Sequence, residues 1–268
     1  MPILIRFSIP FTIVLQIFFC SNSLAQSSEF HIKKGDEFAL AFKIQQALDA
    51  YIEAFETDTS NCQALWRIAK MYIDLGEETE AEERSQYYYT AEKWSRKTVS
   101  VCPDEPNGHF FVAVASGKLA LYEGGKRKVN RSKEVKAEAD KTLELEPNHH
   151  GAYHVLGRWH REIASLNWIL KAAAKLIYGG VPPGATHKAA IVNFKKAIEI
   201  NPEWINHHKQ LGLTYMEMKK WQSAKEEFET VLELPVLDHE DEYHKKCPKN
   251  CSTKLTKSSN KRNGFNHL

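Results

Sequence analysis

The chain has 268 residues, 43% of them hydrophobic and 11% aromatic, which is enough apolar material for one extended or two compact domains and excludes disorder along the whole length. Its 36 Lys and Arg stand against 34 Asp and Glu, so no global field draws it to nucleic acid or to a membrane surface. Any electrostatic recognition has to be local.

The first 25 residues stand apart. Arg6 supplies a positive charge, and Phe7 to Phe19 form an almost unbroken apolar run of 13 residues. A bilayer span needs roughly 20, so this run suits the h-region of a signal peptide. Ser23 and Ala25 hold the positions a signal peptidase reads, which predicts cleavage before Gln26 and a periplasmic or secreted, cell-surface protein. Two rival readings compete. Cys20 offers an acylation site, against which the bulky Phe19 argues, and a retained anchor is disfavoured by the short apolar run. Residues 26–35 read as a linker into a repeat domain over 36–235.

That domain is built from helix pairs. A weak helix-B pattern comes first, in Ala47, Tyr51, Ala54 and Thr59, followed by a helix-A pattern in Leu65, Ile68, Ala69 and Tyr72. Helix B recurs in Ala91, Ser95, Thr98 and Pro103, and again in Val135, Ala139, Thr142 and Pro147. Helix A recurs in Tyr153, Leu156, Gly157 and His160, and in His208, Leu211, Gly212 and Tyr215. The i, i+3, i+4, i+7 spacing puts each set on one helical face. Ala190 and Ala224 lie 34 residues apart, as do Phe194 and Phe228, which is the period of the tetratricopeptide (TPR) repeat, with small residues for close helix approach and a terminating proline. The two phenylalanines are therefore expected in equivalent places.

Two repeats are enlarged: Pro103 to Pro147 is 44 residues and Pro147 to Pro202 is 55. In the larger insert Ile163, Leu166, Ile169, Leu170, Ala173 and Leu176 keep helical phase until Gly179-Gly180 and Pro182-Pro183, predicting a long helix A and a short loop. No segment alternates with period two between hairpin turns. The fold class is thus all-α, a TPR-like antiparallel helix-pair solenoid. From 236 to 268 the pattern decays into acidic and then lysine-rich polar sequence, read as a charged, largely disordered tail. Cys62, Cys102, Cys247 and Cys251 remain after leader removal, and their pairing is open between disulfides and free thiols.

Four pieces occur in order: LWRIAKMY (65–72), FFVAVASGKLALYEGGKRK (110–128), LGRWHREIASLNW (156–168) and the GVPPGAT loop. Together they resemble the regulator of microtubule dynamics family of divergent TPR proteins over roughly residues 45 to 240. The resemblance implies the same helical fold. Eukaryotic members are linked to microtubules, mitochondria and organelle contacts, and one member's repeat domain to phospholipid binding and transfer. The leader of this chain implies an exported setting without microtubules.

Constellations for chemistry are sparse. His149, His150 and His154, with His207 and His208, invite a metal, but no HExxH, carboxylate partner or CxxC supports one; they sit at helix starts, where polar side chains satisfy free backbone groups. No metal and no cofactor is expected. Gly124-Gly125 lacks phosphate-loop spacing and reads as a turn, and no nucleophile elbow is present, so no catalytic residue is assigned. Lys126, Arg127, Lys128 and Arg131 form either an exposed helix face or an anion-binding patch. Trp94, Trp159, Trp168 and Trp221 read as core. The concave groove lined by helices A is the main site: Trp66, Lys70, His154, Arg158, Arg161 and Lys209 are its expected residues. The function expected is a non-catalytic scaffold that binds a protein or peptide, with no role for nucleic acid. The alternative is a carrier of phospholipid or another amphiphile with a pocket near the insert. What separates them is whether the apolar face at Leu166 to Ala173 packs against the next repeat or faces a cavity.

Overall fold

The computed structural model describes residues 27–80, 82–167 and 183–246, with 171, 172, 175, 176, 179 and 180 between the last two stretches. The leader, Trp168, Ile169, Leu170, Ala173, Cys247 and Cys251 lie outside the described residues, and with them the expectations placed there.

Everything described is helix and connection, and no strand occurs among the described residues. The helices run α1 (27–40), α2 (Ile44–Thr57), α3 (Cys62–Glu78), α4 (Arg84–Val101), α5 (Pro106–Leu119), α6 (Gly125–Leu145), α7 (His150–Ser165), α8 (His187–Ile200), α9 (Ile205–Glu217), α10 (Trp221–Glu233) and a short α11 (241–246). Consecutive helices pack on one another, and α3, α5, α7 and α9 also touch in succession. Helix pairs α1/α2 through α9/α10 thus stack with their first members on one side.

Local chemistry starts and stops these helices. Asn61 accepts the amides of Gln63 and Ala64 at the start of α3, and Thr186 that of Ala189 at the start of α8. His149 caps α7, its Nδ1 accepting from the Ala152 amide at 3.0 Å, the backbone role expected of it. Pro103, Pro147 and Pro202 follow α4, α6 and α8. Each preceding turn is closed by a ring six residues on: His109 and His208 reach the carbonyls of Pro103 and Pro202 at 2.9 and 3.0 Å, and the Tyr153 hydroxyl donates to that of Pro147 at 3.2 Å.

Within each pair one contact sets the helix separation. A Cβ built on Gly157 or Gly212 would stand 2.6 Å from the ring of Phe194 or Phe228, and Gly35 meets the Tyr51 ring in the same way. The matching positions of the other pairs hold Ala69 with Ser95 and Ala113 with Ala139, all fully buried. A glycine faces an aromatic and an alanine faces a small side chain, so volume across the joint is conserved. Phe194 and Phe228 are equivalent, as their spacing required.

Three expectations need correction. Residues 26–35 are not a linker, since 27–35 belong to α1, whose Ser28, Ile32 and Gly35 form an i, i+4, i+7 face buried on α2. The predicted long helix through Leu176 is broken: α7 ends at Ser165 and Leu166 is extended, with ψ 133°. Lys171 and Ala172 are helical again, the Lys171 amide bonding the Asn167 carbonyl at 3.1 Å; Ser165 and Asn167 favour caps over helix interiors. Most of the ten extra residues of the third pair do enter a helix, the 21-residue α6, against 14 and 13 residues in α8 and α10. Finally, residues 236–246 of the supposed disordered tail are ordered, with Asp241 and His244 buried at 4% and 5% exposure. Cys62 and Cys102 form a disulfide joining the start of α3 to the end of α4.

Candidate functional site

The first helices of the pairs surround a chamber of about 1100 Å³. One turn of each supplies two facing positions four residues apart, and these hold Trp66 and Lys70 on α3, Phe110 and Val114 on α5, and His154 and Arg158 on α7, all in the chamber wall. The four that sequence named here are brought together. Phe110 and Val114 were missed because α5 replaces the usual matched residues with His109, Ala113 and Ser116; the six-residue step from Pro103 to His109 was the signal that locates them. Apolar wall is added by Trp159, Ile163 and Leu166. The Trp66 ring stacks on Phe111, centroids 5.9 Å apart, with the Arg67 guanidinium 4.2 Å from its centre. Of the expected core tryptophans, Trp159 is 5% exposed and Trp94 and Trp221 pack against core clusters.

The charges in the chamber differ in how they are held. Lys70 donates to Asp74 at 2.5 Å; burial opposes its charge, but Asp74, then Asp238 and Glu240, raise its pKa above the ordinary value. Lys118 is paired with Glu77, which also accepts from the Tyr88 hydroxyl at 2.6 Å. Arg158 makes no hydrogen bond or ion pair with another described residue. Burial, followed by the adjacent Arg161, lowers its pKa from the usual arginine value.

A chain of imidazoles closes one side. His150 Nδ1 lies 2.9 Å from His207 Nε2, and His207 Nδ1 lies 2.9 Å from His154 Nδ1, joining α7 to α9. One proton per ring satisfies both contacts in a single direction. Burial first, and then neighbouring charge, pushes His150 down to about 4 and His207 to about 2, and His154 well below its ordinary value.

Two expected groove residues are withdrawn from the chamber. Arg161 donates to Gln210 at 2.6 Å and Glu162 at 2.8 Å. Lys209 donates to His244 Nδ1 at 2.9 Å and lies 5.2 Å from the centre of the Tyr243 ring. Arg161 is covered by α9, and Lys209, itself on α9, by the chain's last described helix. The anion patch is also altered: Arg131 is bound to Glu92 at 2.5 Å and Glu123 at 3.2 Å with its side chain only 14% exposed, leaving Lys126, Arg127 and Lys128 as the solvent-facing cations.

Among the described residues Asp238, His239 and Glu240 alone place three metal-capable atoms within 4.8 Å of one another. They are consecutive, Asp238 already accepts from His239 at 3.1 Å, and Glu240 lies 4.0 Å from His244 Nε2, so ion pairing within the segment accounts for them. Ser165, His187 and Glu217 meet at the surface, but serine and carboxylate contact the same ring nitrogen at 3.2 and 3.0 Å, which leaves no relay of the kind nucleophilic catalysis needs.

The profile of the family described as "Regulator of microtubule dynamics protein 1-3" matches residues 31–259. Bovine (Bos taurus) regulator of microtubule dynamics protein 3 is 32% identical over 179 residues, 66% of this chain and 38% of that protein. Protein 1 of Caenorhabditis elegans is 27% identical over 186 residues, 69% of this chain and 82% of that one. The chain thus spans about two fifths of the length of the mammalian protein 3 relatives it matches. A thermophilic TPR protein of Thermus thermophilus superposes with a TM-score of 0.63 at 12% identity, covering 82% of this chain and 98% of the other, a likeness of fold.

Proposed function

Because the chain belongs to the regulator of microtubule dynamics protein 1-3 family, and its TPR-like fold is that of an interaction scaffold, we propose that it is a non-catalytic binding protein of an exported compartment that grips a segment of a partner protein in its chamber. Arg158 carries the reading. A partly buried guanidinium with no partner among the described residues, set in a wall with Trp66, Phe110 and Val114, suits a ligand that presents a carboxylate or phosphate on an apolar body. The Cys62–Cys102 bridge supports export, since such bonds persist in oxidising compartments. The signal-like first 25 residues point the same way.

A second reading, an amphiphile carrier, is favoured by one observation: Ile163 and Leu166 both line the chamber, and its mouth carries Leu40 and Leu121 at 80% and 66% exposure. Protein purified from its own host, extracted and analysed by mass spectrometry, decides between them. A retained polypeptide supports the scaffold and a stoichiometric lipid the carrier. In either case Arg158→Gln weakens retention about 10- to 100-fold, the loss of one charge-assisted bond, while circular dichroism stays unchanged. Retention indifferent to that substitution would refute the site.

A further inference from the structure

The last described stretch of the chain lies inside the chamber that it helps to close. Leu237, Asp238, His239, Glu240, Asp241 and His244 all contribute to its wall. The segment is a formed turn and not a loose strand: Asp241 accepts the amides of Leu237 and Asp238 at 2.9 and 2.8 Å. One end is fastened, by Lys209 to His244 at 2.9 Å and by Lys245 to the Leu234 carbonyl. The acidic end is held differently. No hydrogen bond or ion pair joins Asp238 or Glu240 to Lys70, Lys118 or Arg158 among the described residues. Their attraction acts through space, Asp238 and Glu240 on Lys70 and Glu240 also on Lys118 and Arg158.

Burial also works against the charge of Glu240 and raises its pKa, whereas Asp238, despite burial, is drawn down to about 2 by His239 and the Glu240 amide. Lys70 and Lys118 are already paired with Asp74 and Glu77, so the occupant's acidic end is complementary in sign to the part of the wall around Arg158, yet is not bonded to it. Such an arrangement favours exchange for a ligand that makes the missing contacts, because a direct carboxylate–guanidinium bond in a partly buried site outweighs attraction at a distance.

We propose that the wall around Arg158 is a docking site for a short acidic segment of a partner protein, and that residues 237–244 are the chain's own copy of such a segment, displaced when the partner binds. The proposal rests on the chamber being the binding site.

The test titrates a fluorescein-labelled peptide of residues 234–244, LPVLDHEDEYH, into the full chain and into its Asp238→Asn/Glu240→Gln variant. Asp241 is kept so that the turn persists. By fluorescence anisotropy the variant should bind about tenfold tighter, since it no longer competes for its own site, and a peptide carrying the same two changes should bind neither protein. In the unaltered chain, excess peptide should speed amide hydrogen exchange across 237–244. Equal affinities for chain and variant, or exchange that does not respond, would overturn the proposal. If the peptide binds neither protein while vesicles of phosphatidylglycerol lose lipid to the chain in an Arg158-dependent manner, the displaced-segment proposal falls and the chamber stands as a lipid site. If Arg158→Gln changes no binding of any kind, the chamber reading falls with it.

Discussion

Gly157 and Ala69 occupy the same place in different repeats, and what faces each decides what either position tolerates. Gly157→Ala sets a methyl group 2.6 Å from the Phe194 ring, which must move. The expected loss is about 1–3 kcal/mol in urea unfolding, partly recovered by Phe194→Leu in the same chain. Ala69→Gly opposite Ser95 should cost only about 1 kcal/mol, the helix propensity difference. A reversed order of the two losses would disprove the volume rule. Phe42 and Lys219 end their helices at equivalent turns with φ of 57° and 58°, in the left-handed region. Lys219→Gly is therefore expected to raise stability by about 1 kcal/mol. Phe42→Gly should do the same, but it removes a ring 44% exposed at the chamber mouth and so weakens ligand retention, which the Lys219 change leaves alone.

The second helix pair is stapled as well as packed. Cys62 and Cys102 close a loop of 40 residues, for which chain-entropy arguments give about 4 kcal/mol. Changing both to Ser should lower the thermal midpoint by that measure, and reduction of the unaltered chain should match it; insensitivity of the midpoint to reductant would show the bond does not form. Helices whose ends are dictated by proline were readable in the sequence, as α4, α6 and α8 show. α1 was not, because its face is carried by Ser28, Ile32 and Gly35, in which one small apolar signal is spread over two polar-looking turns. The end of α7 was also hidden: apolar periodicity continues past Ser165, and only the backbone's preference for caps at Ser165 and Asn167 interrupts it. Which cysteines pair is a matter of where α3 begins and α4 stops, and spacing alone does not contain that.

Across the molecule, the imidazoles that join α7 to α9 make stability depend on acidity. His150, His154 and His207, with His244 at about 3, all have pKa values in the fold below their ordinary value. The unfolded chain therefore binds more protons below about pH 6.5. The stability that neutral rings confer is complete above that pH and is lost as pH falls, by up to about 1.4 kcal/mol per unit for each ring, until about 4 for His150 and about 2 for His207. Thermal midpoints followed by circular dichroism should fall steeply from pH 6.5 to 4, and a level profile would contradict the neutral cluster. The chamber's facing positions were legible from repeat arithmetic at Trp66, Lys70, His154 and Arg158. The covering of Arg161 by Gln210 of the next pair and of Lys209 by the returning segment at His244 was not, because both depend on contacts between elements, about which no local pattern informs. The staple has one more consequence. A stack of helix pairs pulled at its two ends lengthens like a spring and then unravels pair by pair, but the backbone between Cys62 and Cys102 is withheld from that extension. Roughly 140 Å of slack is locked away for as long as the bridge survives, so tension should peel the neighbouring pairs before it reaches the wall that holds Trp66 and Lys70.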